Sequence, residues 1–262
     1  MSTLVETSTE KQVRTICLNR PDKRNALNGE LVTALHDALD DLEADEAVRA
    51  AILAGNGSAF SAGADLASLR EMQSATPREN ERDSRRLAEL FRRIYLHPTP
   101  IIAQVDGPAI GGGCGLAAVC DFSLVAPDVR LGFSEVRIGF VPAIVMVFVR
   151  RKLGETQARD LMLRGRLLTG REAADHGLVT RSVSSEDLVE ACRALGREIA
   201  TKTSGTAVGL TKRMLAQVPG MGLSEALDYA VQMNAYARGT EDCQAGIAAF
   251  LDDEAAPWEE AS

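Results

Sequence analysis

Three stretches of the chain place residues capable of chemistry where a strand-like run gives way to a turn. The first runs from Ile101 to Val125. An apolar start at Ile101, Ile102 and Ala103 leads to the turn pair Gly107-Pro108. Gly111, Gly112 and Gly113 then open into a small-residue segment, Cys114 to Cys120. Consecutive glycines put no side chain between backbone and ligand. At a helix start they aim unpaired N–H groups and the positive helix end at an anion or a developing oxyanion. A tight turn with close helix packing explains the same residues, and this stretch alone does not separate the two readings. In the second stretch, Ala50 to Ala54 empties into Gly55-Asn56-Gly57-Ser58 and then Phe60-Ser61-Ala62-Gly63-Ala64-Asp65-Leu66. It has the same physical character, although Asp65 equally suits a helix cap. The third holds Glu135 among Val136, Ile138, Phe140 and Val141. A carboxyl in a partly dry position keeps its proton to higher pH and can exchange it near neutrality. Pairing with Arg137 would make it a structural acid instead.

The elements that position these stretches follow from pattern. Leu4 and Val5, then Val13 to Leu18, predict two short strands around a polar turn. Asn28 predicts the cap of a helix whose Leu31, Leu35, Leu39 and Leu42 share one face. Ala50 to Ala54 and Asp121 to Ala126 predict further strands. Polar residues Gln73 to Arg86 lead into a helix carrying Leu87, Leu90, Phe91, Ile94 and Tyr95. Pro142 opens a helix to Leu153. Thr169 and Glu172 form a capping-box signal before a short helix that Gly177 ends, and Leu178 to Val183 predicts a strand. Beyond Ser184 the pattern is helical, and AAPWEEAS forms a tail with Trp258 as its anchor. The expectation is an α/β body, residues 1–200, with a helical C-terminal region, residues 201–262.

Composition narrows the function classes. The chain has 262 residues, is 45% hydrophobic and 25% charged, and carries a net charge of −8, so a sizeable core is expected. The acidic balance argues against a broad nucleic-acid face, and 4% aromatics against base-stacking platforms. The five cysteines include no CxxC pair, which suits free thiols in a reducing compartment. Without a targeting pattern or a run of 18 apolar residues, a cytoplasmic protein with no membrane partner is expected. His36, His97 and His176 are scattered, so no metal site is expected. Phosphate-loop, nucleophile-elbow and dinucleotide signatures are missing. Cys114 reads as a small buried thiol rather than a nucleophile.

Taken in order, LNRPDKRNALN (18–28), FSAGADL (60–66), DGPAIGGGCGLAAVCD (106–121), FSEVRIGFVPA (133–143) and GLVTRSV (177–183) closely resemble the enoyl-CoA hydratase/isomerase family, the crotonase-like proteins. The resemblance spans nearly the whole chain. It implies a spiral of ββα units with a helical trimerisation region, assembled as a homotrimer or a dimer of trimers. It also implies an acyl-CoA thioester as substrate, with no cofactor beyond the coenzyme A that the substrate carries. Under it, Ala62 and Gly112 would supply the two backbone N–H groups of an oxyanion hole, and Glu135 would be a catalytic glutamate. Ala26, Ala64, Asp65 and Leu66 would cradle coenzyme A by their backbone. Lys23, Arg24, Lys212 and Arg213 would be charge candidates for its phosphates, and Phe140 would help shape the acyl end. Gly115, also placed at the substrate, departs from the two-glutamate pattern of the hydratases. The sequence around Glu135 and the glycines looks closest to bacterial hydratases of methylglutaconyl-CoA type, which share that glycine. Hydration of a 2-enoyl-CoA, branched or 3-methyl-substituted chains among the candidates, is therefore expected first. Double-bond migration from a 3-enoyl-CoA is expected second, and a non-catalytic acyl-CoA binder third.

Overall fold

Residues 3–259 are described by a computed structural model; residues 1–2 and 260–262, at the start of the N-terminal stretch and the end of the tail, lie outside it. A hairpin comes first. β1 (Val5–Glu10) and β2 (Val13–Leu18) pair antiparallel, with Lys11 of the turn in the left-handed region. The Asn28 side chain accepts from the Leu31 N–H and starts α1 (Gly29–Ala44), whose four leucines form the buried stripe their spacing predicts. β3 (Ala50–Gly55) adds to β2 in parallel, followed by α2 (Leu66–Glu71) and α3 (Pro77–Leu96). A capping box of Thr76 and Glu79 begins α3. Then come β4 (Ile101–Val105), β5 (Ala109–Ile110), α4 (Gly112–Val119), β6 (Phe122–Val125) and β7 (Arg130–Gly132).

α5 (Ala143–Arg164) starts after Pro142 and its first segment ends at Leu153, as predicted; Gly154, at a positive φ, breaks it there before a second helical segment continues to Arg164. β8 (Leu167–Thr169) and α6 (Gly170–Asp175) follow, the latter begun by the Thr169–Glu172 capping box. The strand predicted over Leu178 to Val183 shrinks to β9 (Arg181–Ser182), because the preceding N–H groups bond back to Ala173 instead. α7 (Leu188–Lys202) is the last helix on the main sheet.

The main sheet runs β1-β2-β3-β4-β6-β9, parallel from β2 onward. Its two faces are covered by different helices. Ile16, Leu53 and Ile101 point to one side and line a small apolar space with Leu35 and Leu39 of α1 and Ile94 of α3. Val13 and Ile102 point to the other, where they meet Gly196 of α7. Coverage on both sides is why all of Ala50 to Ala54 is buried rather than alternating. A small second sheet, β5-β7-β8, holds the glycine-rich stretch against the segment carrying Glu135.

The chain ends in α8 (Gly205–Gln217), α9 (Leu223–Arg238) and α10 (Glu241–Leu251). The hydroxyl of Ser204 caps α8 and bonds Asp242 of α10. Trp258 lies against Gly246 of α10. Leu223, Leu227 and Val231 on α9, with Ile247, Phe250 and Leu251 on α10, are all more than half exposed. Among the described residues no helix is long and apolar enough to cross a membrane.

Candidate active site

The segment 61–65 lies between two neighbours. On one side, Leu27 donates to the Gly63 carbonyl (2.7 Å) and accepts from the Asp65 N–H (3.0 Å). This is a parallel bridge between Leu27 and Ala64. Such a bridge uses the groups flanking Ala64 and turns Ala64's own N–H to the opposite edge. On that opposite side lies the glycine-rich stretch. A Cβ at Gly63 would come 2.4 Å from the Ile110 carbonyl oxygen and 3.2 Å from the Gly112 nitrogen. Gly63 has φ +84, so only glycine suits it both sterically and conformationally.

The expected donor Ala62 needs correcting. Its N–H already donates to the Arg24 carbonyl at 2.9 Å and is not free for a ligand. Ala64, two residues on and exposed, makes no backbone bond through its N–H among the described residues. The Gly112 N–H is likewise without a backbone acceptor. Gly111, at φ 55 and ψ −121, precedes α4 without offering a side-chain cap. The helix end is therefore open, and its dipole adds positive potential there.

Glu135 closes the third side. It begins a 3-10 turn, Glu135–Ile138. Its Oε1 lies 2.9 Å from the point where a Gly111 Cβ would stand, so glycine there is what admits the carboxylate. Its Oε2 is buried without a hydrogen-bond partner among the described residues. Among the described residues Arg137 forms no pair with it; the Arg137 side chain is exposed and lies along Gly165. Burial raises the Glu135 carboxyl above its ordinary value. An unpartnered carboxylate beside an open helix end fits an acid kept for proton transfer better than a structural ion pair. The thiol of Cys114 is fully buried and its pKa is raised by burial, so it is no nucleophile here.

Other expected residues divide. Lys23 and Arg24 are exposed, and so is Arg213. Ala26 is buried; its N–H bonds Lys23 and its carbonyl accepts from Arg20. Leu66 and Phe140 show 70% and 48% of their surface, so both can meet a ligand. Asp65 cannot offer much. Its side chain caps α2 through the Ala67 and Ser68 N–H groups and pairs with Arg20 at 2.5 Å, while its own N–H is held by Leu27. The Arg20 hydrogen bond holds its carboxyl below the ordinary range despite burial. Lys212 is not a phosphate contact either. It is 8% exposed and its Nζ bonds Asp121 (2.7 Å) and the Ile94 carbonyl. Gly115 is buried under Val145 and Phe91, so it cannot touch a substrate. No group of metal-binding side chains occurs among the described residues.

The chain belongs to the enoyl-CoA hydratase/isomerase family, which it matches over residues 8–261. A Thermus thermophilus protein assigned to the enoyl-CoA hydratases is 46% identical over 240 residues, 92% of this chain and 94% of the relative. The 2,3-dehydroadipyl-CoA hydratase of Escherichia coli is 32% identical over 96% of both chains. Among solved structures, AtuE of Pseudomonas aeruginosa superposes with a TM-score of 0.93 at 30% identity, covering 98% of this chain and all of that one. The α/β crotonase fold, with repeating strand–helix units and a C-terminal helical bundle consistent with a trimerisation region, is thus the fold of this chain.

Proposed function

We propose that the chain is an enoyl-CoA hydratase that adds water across the double bond of a 2-enoyl-CoA. The observation that carries this is the Glu135 carboxylate, buried on one oxygen without a partner and set against Gly111 beside the open end of α4. In this reading the thioester oxygen lies between the N–H groups of Ala64 and Gly112. Attack at C3 moves the π electrons toward that oxygen, and fixed donors stabilise the charge as it develops, each worth about 3 kcal/mol. Glu135 takes a proton from water as its oxygen bonds C3, and returns a proton to C2. The backbone of the exposed Ala64 and Leu66 would line the path of coenzyme A, with the exposed Lys23, Arg24 and Arg213 available to its phosphates.

The acyl group we favour is branched or 3-methyl-substituted, on the likeness of residues 106–143 to methylglutaconyl-CoA hydratases. Its far end would reach Phe140. We read the exposed apolar stripe of α9 and α10 as the contact of a homotrimer or dimer of trimers, and the five unpaired cysteines as fitting a cytoplasmic setting. A second reading, migration of a 3-enoyl double bond, draws on the single carboxylate, since one shuttling acid suffices for it.

Incubation in heavy water with crotonyl-CoA, 3-methylcrotonyl-CoA, 3-methylglutaconyl-CoA and a 3-enoyl-CoA separates these. Hydroxyacyl-CoA labelled at C2 is the expected product. Reaction of the 3-enoyl substrate alone, giving the 2-enoyl isomer, replaces the first reading with the second. Tight binding without turnover leaves an acyl-CoA binder.

A further inference from the structure

The wall across α4 from the open helix end is built of hydrocarbon. A Cβ at Gly115 would stand 2.3 Å from Val145 Cγ1 and 2.8 Å from Phe91 Cε1, both distances too short to exist. Val145 is 4% exposed and Phe91 is fully buried. The ring of Phe91 stacks on Phe148 with centroids 6.1 Å apart, and Tyr95 meets Phe148 edge-on at 5.3 Å. Val145 sits in the first turn of α5, so it cannot swing aside without moving that helix. Gly115 lies one turn from Gly111 and Gly112, and a helical side chain leans toward the N-terminal end of its helix. A side chain at 115 would therefore point along α4 toward the end where the Glu135 carboxylate lies.

We propose that Val145, backed by Phe91, is the residue that restricts this site to one acid. It fills the volume a carboxyl on the second turn of α4 would need, and leaves Glu135 to carry all proton transfer beside an apolar wall. The inference rests on the 2-enoyl-CoA chemistry proposed above. In its terms, a carboxyl at 115 would share the work. Glu135 would take water's proton as the C3–O bond forms, and the introduced acid would deliver a proton to C2 as the double bond is consumed.

The test compares the wild type with Gly115→Glu, Val145→Ala and their combination, by thermal melting and by hydration of crotonyl-CoA. Gly115→Glu alone is expected to melt lower and to lose activity. The combined variant is expected to melt higher than Gly115→Glu alone and to exceed Val145→Ala in kcat by about tenfold or more, with KM changed little. An equal gain from Gly115→Glu alone overturns the proposal, as does a folded, substrate-binding double variant with no gain in kcat. Should neither glutamate variant fold, Gly115→Ala adds only the clashing carbon. A melting penalty that shrinks in the Val145→Ala background supports the proposal, and an equal penalty in both backgrounds refutes it. This melting cycle needs no turnover, so it stands apart from failure of the hydratase reading, which inactivity of the wild type would reveal.

Discussion

The two glycine-bearing junctions look alike in sequence and resolve their helix ends in opposite ways. At 61–66 the helix start is satisfied: Asp65 accepts from the Ala67 and Ser68 N–H groups and pairs with Arg20. What remains open is a strand-edge N–H, that of Ala64. At 110–115 no side chain caps α4, and the Gly112 N–H stays open with the dipole of the helix behind it. One junction contributes position, the other position and potential. The carboxylates differ in parallel: Asp65 is held in its charged form by partners, Glu135 is raised by burial without one.

The comparison predicts the largest effect at Glu135. Glu135→Gln should cost about a hundredfold to ten-thousandfold in kcat while acyl-CoA binding persists; Asp65→Asn should change kcat only a few-fold. Steady-state kinetics with separate binding measurements checks both, and an equal loss in the two variants would erase the distinction. Next, Gly63→Ala forces a Cβ into the Ile110 carbonyl at a left-handed backbone. Displacing one donor in this way should lower kcat by about a hundredfold, read against the circular dichroism of a folded protein.

The pH behaviour should then separate the carboxylates. With Glu135 needed as the base, kcat/KM should rise with pH through a midpoint above the ordinary glutamate value of 4.5; an acid limb below that value contradicts the burial argument. In stability the signs oppose. The raised Glu135 contributes stability that is present below 4.5 and lost as pH rises through its folded value. Asp65 contributes stability that is present above 3.8 and lost as pH falls through its lowered value. Glu135→Gln should accordingly melt no lower than wild type at pH 7. The smallest effect on activity is expected from Asp65→Ala, whose cost falls on stability: about 3–5 kcal/mol of unfolding free energy for the stranded Arg20 and the lost cap, measured by urea titration.

What could be read beforehand depended on whether the deciding partner was near in sequence. Asn28 capping Leu31, and Thr169 with Glu172, sit within one turn of their partners, so composition and spacing sufficed. Glu135 stood out because its neighbours are apolar. The N–H expected to be open, that of Ala62, is taken, and that of Ala64 is open instead, because the bond to Arg24 and the bridge to Leu27 come from a loop more than thirty residues upstream. Lys212, expected as a charge for phosphates, is instead taken by Asp121, 91 residues away. β5, β7 and β8, of two or three residues each, are too short to carry an alternating pattern. Gly115 was legible as a missing acid, but not as a position closed by Val145 and Phe91, which arrive on two other helices.

The burial of Lys212 means that the C-terminal helices cannot be treated as a detachable handle. Asp121 accepts both from that lysine and from the Ile101 N–H, at the point where α4 hands the chain to β6. Removing α8, or replacing Lys212 by methionine, would strand a part-buried carboxylate at the foot of the very helix whose other end lies beside Glu135. Loss of one partner from a buried pair costs about 3–5 kcal/mol. A chain cut after Lys202 should therefore yield an unstable body rather than a stable fragment, and the C-terminal helices and α4 would survive or fail together.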